Sequence, residues 1–544
     1  MPILELVTVC LIAATPFCYL LAMACSLAPV NSRMASWPLT LGLAGAVLVS
    51  ALLASAITLF AGPSQAFVAT FPGIDLEGLA PSVRVDALTL AMLSLIGYIG
   101  IVILMYSRRY LAGDPGKVDP RRRMYRRWFS ATLASVTTLV ITNQLWLLAL
   151  AWIATSLCLH KLLAYYDQRP QALLAAHKKF LSSRLTDTFI LIGVFLIGRH
   201  FGTFEINAVF ATAAQTPWTV TLTIACALLA CAAILKCAQL PFHGWLIQVM
   251  EAPTPVSALL HAGIVNIGGF LMIRFAPLMA PATFAQTLLI IAGTTTAVTA
   301  GLIMSTRVSI KVMLAWSTCA QMGFMLLECG LGLYGLALLH LLAHSLYKAH
   351  SFLTAGEMAA ISARRARTPA VGQSVISGFG WGLVSVSAGF LAVVVFIWPQ
   401  ITGGHPAVVV VVIGALATLA GDALGANRLL WRRVIGAGVA IALLYAFWSA
   451  LFSFLEPTRP PQDIAGAEIG VAIAFAGLFA LRAITGNKHG ARHLRWLHPH
   501  VYGGFYLDQL FTRLTLVIWP PRLRQRPQST TSPFSAVTPP EPEA

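Results

Sequence analysis

Runs of about 20 apolar residues recur along the whole chain, and each is long enough to cross the hydrocarbon core of a bilayer as a helix. A backbone in lipid must satisfy its own hydrogen bonds, so repeated runs of this length constrain the fold more than any other feature. Fifteen candidate spans can be read, at about 4–29, 37–62, 86–107, 128–142, 144–166, 180–200, 217–237, 257–275, 284–306, 308–329, 332–361, 374–399, 405–424, 434–454 and 464–484. The composition agrees, with 58% hydrophobic and 10% charged residues among 544, against roughly 25% charged in soluble domains. The expected fold class is all-α, a polytopic membrane protein of about 15 transmembrane helices. The first run begins too early, with too few basic residues before it, for a cleaved signal peptide, and it reads as a retained helix.

Numbering the loops by these spans separates the basic residues into two sets. Arg33, Arg108, Arg109, Lys117, Arg121, Arg122, Arg123, Arg126, Arg127, Arg169, Lys178, Lys179, Arg307, Arg364, Arg365, Arg367, Arg428, Arg432, Arg433, Lys488, Arg492 and Arg495 fall in odd-numbered loops. The even-numbered loops hold chiefly Arg84, Arg199, Arg274 and Arg459, together with several acids. Lys and Arg concentrate on the cytoplasmic side, so the alternation predicts an outside N-terminus and an inside C-terminus. The net charge of +17 is thereby a topology signal, and no nucleic-acid motif accompanies it. Nine cysteines form no CxxC pair, which leaves iron–sulfur, c-type haem and disulfide frameworks without support. The organisation reads as N-terminal helices over 1–107, a core over 108–425, C-terminal helices over 426–499, and an amphipathic segment with a Pro/Ser/Thr-rich tail over 500–544.

Ionisable side chains inside hydrocarbon are costly and rare, so each marks a functional candidate. Lys236 ends an apolar run in Lys236-Cys237-Ala238-Gln239-Leu240-Pro241-Phe242-His243-Gly244-Trp245, where Pro241 predicts a helix break. A buried lysine beside freed carbonyls suggests a hydrated ion path; the alternative is that Lys236 snorkels to an interface. In Glu251-Ala252-Pro253-Thr254-Pro255-Val256-Ser257-Ala258-Leu259-Leu260-His261 the two prolines mark a helix start, with Ser257 and His261 on one face. His340, His344 and Lys348 repeat at i, i+4 and form a ladder over about 12 Å, the parts of a proton relay or of polar glue between helices. Lys311, with Ser317 and Gln321 on the following turns, adds a cation near a span end. His160 and Lys161 lie in the fifth span, and Arg184 and Asp187 sit at i, i+3 in the sixth, where they can pair. His340 and His344 lack the glutamate and third ligand of a zinc site, so no metal is expected in this chain. No catalytic motif is evident either: phosphate loop, nucleophile elbow and dinucleotide fingerprint are all missing from the sequence.

The Lys236–Leu246 and Glu251–Ala262 motifs, with Leu314-Ala315-Trp316-Ser317-Thr318-Cys319-Ala320-Gln321-Met322-Gly323 and His344-Ser345-Leu346-Tyr347-Lys348-Ala349, closely resemble the proton-translocating antiporter-like family. That family includes subunit L of NADH–quinone oxidoreductase and the large subunits of multisubunit Na⁺/H⁺ antiporters. The resemblance implies two inverted five-helix repeats with broken helices and a line of buried lysines and histidines that carries protons. Position by position, it assigns Lys236 to the broken-helix lysine, His261 to the next helix, Lys311 to the lysine before the Ser-Thr motif, and His340, His344 and Lys348 to the central relay. Arg184 and Asp187 match the family's pair on the sixth helix.

Two departures stand out. The family's fifth-helix glutamate beside a tryptophan is replaced, since Trp152 is followed by Ile153, and the candidate span 374–399 holds no ionisable residue. The run Leu159-His160-Lys161-Leu162-Leu163 leading to Arg169-Pro170 and Lys178-Lys179-Phe180 resembles the DabB branch. That branch implies a bacterial inner-membrane subunit, with a periplasmic N-terminus and a cytoplasmic C-terminus, that conducts protons or sodium. The flow would drive CO2 hydration in a cytoplasmic zinc partner, DabA, which resembles β-carbonic anhydrases. Zinc and catalysis would then belong to the partner, and this chain would hold no cofactor. The alternatives are a subunit of a Na⁺/H⁺ antiporter or of a proton-pumping quinone oxidoreductase.

Overall fold

In the computed structural model of the chain, residues 3–28, 36–60, 67–70, 82–112, 120–358, 465–485 and 494–520 are described, with isolated positions between 359 and 494. The expected spans at 374–399, 405–424 and 434–454, and the tail after 520, lie outside the described residues.

The apolar runs become helices because no other element satisfies a backbone in lipid. They are α1 (Ile3–Cys25), α2 (Trp37–Phe60), α3 (Ala87–Tyr110), α4 (Pro120–Ile141), α5 (Leu145–Leu163), α6 (Pro170–Phe201), the short α7 (Ile206–Ala213), α8 (Val220–Lys236), the short α9 (Gly244–Gln248), α10 (Thr254–Ala262), α11 (Ile267–Arg274), the one-turn α12 (Ala276–Met279), α13 (Thr283–Met304), α14 (Ile310–Gly330) and α15 (Tyr334–Leu353). Further on come α16 (Ala465–Thr485), α17 (Leu497–Tyr502) and α18 (Asp508–Ile518). Among the described residues, eight helices are long and apolar enough to cross a membrane. Val49, Leu52 and Leu53 on α2, Leu150 on α5 and Ile291 on α13 are exposed, an arrangement suited to lipid rather than water.

Three boundaries differ from those read in the sequence. α4 begins at Pro120, not near 128, because its first turns are built from arginines that a hydropathy window excludes. α6 begins at Pro170, not near 180, and Pro170 sits in its first turn. Lys178 and Lys179 are therefore buried helix residues rather than loop charges. The span expected at 257–275 is interrupted between α10 and α11, where Gly263 leaves helical geometry and a 3₁₀ turn covers Ile264–Asn266.

The α10–α11 stretch is the innermost element, with 94% of its apolar window buried. It contacts α3, α8, α14 and α15. α13 and α14 pack along their length, and their closest approach is at paired glycines: a Cβ on Gly293 would lie 2.5 Å from the Gly323 carbonyl oxygen.

At one end, three turns are stitched together. Asn143 N donates to Ser82 O, Leu145 N to Phe204 O and Ile206 N to Asn143 O. These residues belong to loops two, four and six, so the structure gathers alternate loops on one side. A two-stranded antiparallel ribbon, β1 (Phe67–Thr70) and β2 (Ser82–Val85), lies at the same end. Asp86 caps α3 through Thr89 and pairs with Arg84 at 2.7 Å and with Arg274. Burial pushes the Asp86 carboxyl up, but the Arg274 and Arg84 guanidiniums outweigh it and hold the group well below the usual carboxylate range. Arg274, counted from the sequence as a loop charge, is instead 4% exposed and locks α11 to the start of α3 and, through Val140 O, to the end of α4.

Candidate functional site

The predicted break after α8 is present, and Lys236 is its last helical residue. Ala238 takes a left-handed conformation at φ 52, and helix geometry resumes only at Gly244. The interruption frees backbone groups that polar side chains then satisfy. Thr296 on α13 accepts from Leu240 N at 3.1 Å, and Gln239 Nε2 donates to Cys237 O at 2.8 Å.

Lys236 does not snorkel; it is 6% exposed, and its Nζ has no hydrogen-bond partner among the described residues. The Trp152 ring lies 4.5 Å below that Nζ, a cation–π contact. Lys236 lines a small cavity with Lys179, Ser182, Ser183, Thr186 and Trp245. Lys179 Nζ donates to Ser156 O at 2.7 Å and Arg184 Nη2 to Ser156 Oγ at 2.6 Å, so Ser156, one turn beyond Trp152, ties the cations of α6 to α5. Asp187 meets Arg184 at 2.6 Å, yet among the described residues neither carboxylate oxygen has a partner in hydrogen-bonding geometry. Its charge acts on both Lys179 and Lys236. In this fold Asp187 thus supplies an acid to the cluster that Ile153 cannot.

A second cluster is built around α10, α14 and α15. His344 and Lys348 are buried, and Lys348 Nζ donates to Ser317 Oγ at 2.7 Å and Leu314 O at 3.1 Å. His261 is fully buried, stacks on Phe352 at 4.5 Å between ring centroids, and has no partner for either ring nitrogen among the described residues. Lys348, His340 and His261 are the charges acting on His344. The i, i+4 ladder therefore faces the innermost helix, and the interruption at Gly263–Asn266 lies beside it: Asn266 Nδ2 donates to Ser345 Oγ at 2.7 Å.

Other predicted positions are peripheral to these clusters. Lys311 is half-buried at the start of α14 and donates to Thr254 Oγ1 at 2.9 Å, joining the two helix starts. His160 is half-buried against Phe180 and Trp519, whereas Lys161 is exposed on the last turn of α5 and is not brought into either cluster. Glu251 makes an exposed contact with Arg169 at 3.7 Å. Pro253 and Pro255 set the start of α10, and Pro241 sits within the break.

Beside the two clusters, sequence reasoning missed Lys179 and Glu328. Lys179 was assigned to a loop; its signal is Pro170 as a helix start, which places Lys179, Ser183 and Asp187 on one face. Glu328, the one acid within α14, is 1% exposed and pairs with His340 at 3.0 Å. Its signal is a single acid in an apolar run.

A family profile described as "NADH:quinone oxidoreductase/Mrp antiporter, TM" matches residues 142–370, which include both clusters. A second, described as "NADH-Ubiquinone oxidoreductase (complex I), chain 5 N-terminus", matches residues 78–123. The chain is 40% identical over 506 residues to a protein of Hydrogenovibrio crunogenus named "Probable inorganic carbon transporter subunit DabB", covering 91% of this chain and 92% of the relative. It is 38% identical over 480 residues to the "Probable inorganic carbon transporter subunit DabB2" of Halothiobacillus neapolitanus, covering 85% and 84%. The structure of the Mrp complex from a Dietzia species superposes on 94% of this chain with a TM-score of 0.61 at 22% identity, a likeness of fold in which the match spans 59% of that chain.

Proposed function

The chain belongs to the family of DabB inorganic carbon transporter subunits, within the antiporter-like membrane proteins, and from that premise we propose that it conducts the cation of an energy-coupled inorganic carbon pump. It is a multi-span membrane subunit that translocates ions rather than an enzyme. Protons or sodium ions run down their gradient through the Lys179–Lys236 and His261–His344–Lys348 clusters. That flow drives hydration of CO2 to bicarbonate in a DabA-like cytoplasmic partner, which resembles β-carbonic anhydrases and holds the zinc. The subunit sits in a bacterial inner membrane with its N-terminus in the periplasm and its C-terminus in the cytoplasm.

One observation carries the reading: Lys236 and His261 are buried with no hydrogen-bond partner among the described residues. Charged or titratable groups left so cost folding stability, and a fold that only anchored a partner has no use for them. A relay group needs an open hydrogen-bonding position at which to receive or release the ion, and both side chains keep one.

The complex isolated from its native membrane is expected to contain a soluble zinc protein in fixed ratio to this chain. Recovery with quinone-oxidoreductase subunits, or with small antiporter subunits and no zinc, would replace the carbon-pump reading by one of those assemblies.

A further inference from the structure

The α14–α15 hairpin holds a buried acid paired with a histidine. Glu328 lies near the end of α14 with a side chain 2% exposed, and its Oε2 is 3.0 Å from Nδ1 of His340, itself 10% exposed, on α15. We propose that Glu328 is the acid that loads and unloads the His340–His344–Lys348 ladder, at the end remote from Lys311. This rests on the conduction reading above and assigns the proton as the ion at this site.

The geometry has three parts. First, Glu328 and Ser317 are eleven positions apart on α14, about 16 Å along a helix axis. With Lys348 bound to Ser317 at one end and His340 to Glu328 at the other, the ladder runs along the middle of the hairpin, over about half the length of α14. Second, the rungs are poised rather than saturated. His340 Nε2 and His344 Nε2 are buried without a partner among the described residues, and the two rings stand 6.0 Å apart between centroids, a separation wide enough to admit a bridging water. Third, the Glu328 carboxylate faces a titratable ring. A buried acid opposite an imidazole allows proton exchange in both directions.

The step balances within the pair. Protonated Glu328 gives its Oε2 proton to Nδ1 of neutral His340, which leaves a carboxylate and an imidazolium. The imidazolium then releases its Nε2 proton toward His344 and becomes neutral again. In reverse, His340 returns a proton to the carboxylate. Among the described residues, the charged and titratable groups around this route are His340, His344, His261 and Lys348, with Cys329 beside Glu328 and Cys319 beside Lys348.

The test is proton flux into vesicles holding the purified complex. Glu328→Gln keeps a polar partner for His340 but cannot exchange a proton. It is expected to reduce flux about 10²-fold, the scale of a lost proton-transfer group, with the complex assembled. Glu328→Asp, which keeps an acid one methylene further back, is expected to retain a roughly tenfold reduced flux. It supplies the readout even where the glutamine variant does not assemble. Unchanged flux in either variant overturns the assignment of Glu328. A wild-type complex that conducts no protons instead overturns the conduction reading on which it rests.

Discussion

Lys348→Ala and Lys236→Ala are each expected to bring ion-driven bicarbonate accumulation down to background while leaving the complex assembled. The size of the effect follows from position. Both lysines are buried, in separate clusters; on the proposed path each cluster supplies its own step, so removing either cation interrupts the whole of it. Loss of one proton-transfer group slows a reaction by about 10² to 10⁴-fold, below what uptake would register above leakage. Lys348→Arg sharpens the test. Arginine keeps a positive charge opposite Ser317 and Leu314 O, but it does not deprotonate in proteins. If Lys348 exchanges protons the arginine variant fails like alanine; if it only holds a fixed charge, arginine restores uptake. Normal accumulation in Lys236→Ala or Lys348→Ala would remove the relay.

The second large effect concerns the C-terminal segment. α18 begins at Asp508, whose carboxylate accepts from Lys178 Nζ at 2.7 and 2.8 Å and from Gln248 Nε2 at 3.1 Å. Lys178 is fully buried, and Gly244 has no side chain because a Cβ there would collide with Asp508. At the other end of the segment Trp519 stacks on His177 at 3.9 Å between centroids, and its carbonyl accepts from His177 Nδ1 at 3.1 Å. Asp508→Ala leaves the Lys178 ammonium buried without its counter-charge, a loss below the about 3–5 kcal/mol of a fully buried pair because Asp508 is 28% exposed. The expected result is release of residues 494–519 to protease under conditions that leave the wild type intact. A Lys178→Met/Asp508→Leu double variant is expected to be less damaged than Asp508→Ala, because no charge stays stranded. Equal protection of Asp508→Ala and wild type would contradict the clasp.

Much of this was legible from residues alone, for physical reasons that differ by element. Pro241 announced the break after α8 because proline removes a donor wherever it stands, and the His340–His344–Lys348 ladder followed from helical periodicity. Lys179 and Arg274 were hidden by a convention, since hydropathy assigns a charged residue to a loop unless something else holds it in the helix. For Arg274 the holder is Asp86, 188 positions away, which no local pattern reveals. The interruption of α10–α11 was missed because Gly263 and Asn266 sit in an otherwise continuous apolar run. Asp187 was seen only as a partner for Arg184; its action on Lys236 depends on the packing of α6 against α8, which spacing along one helix does not contain.

The central claim is that cation flow through this chain powers carbon uptake, and gradient dependence tests it most directly. In cells whose carbon accumulation depends on the complex, adding an uncoupler that collapses the ion gradient is expected to abolish bicarbonate accumulation at once, with the amount of assembled complex unchanged. Continued accumulation at the original rate after the gradient is gone would contradict the account.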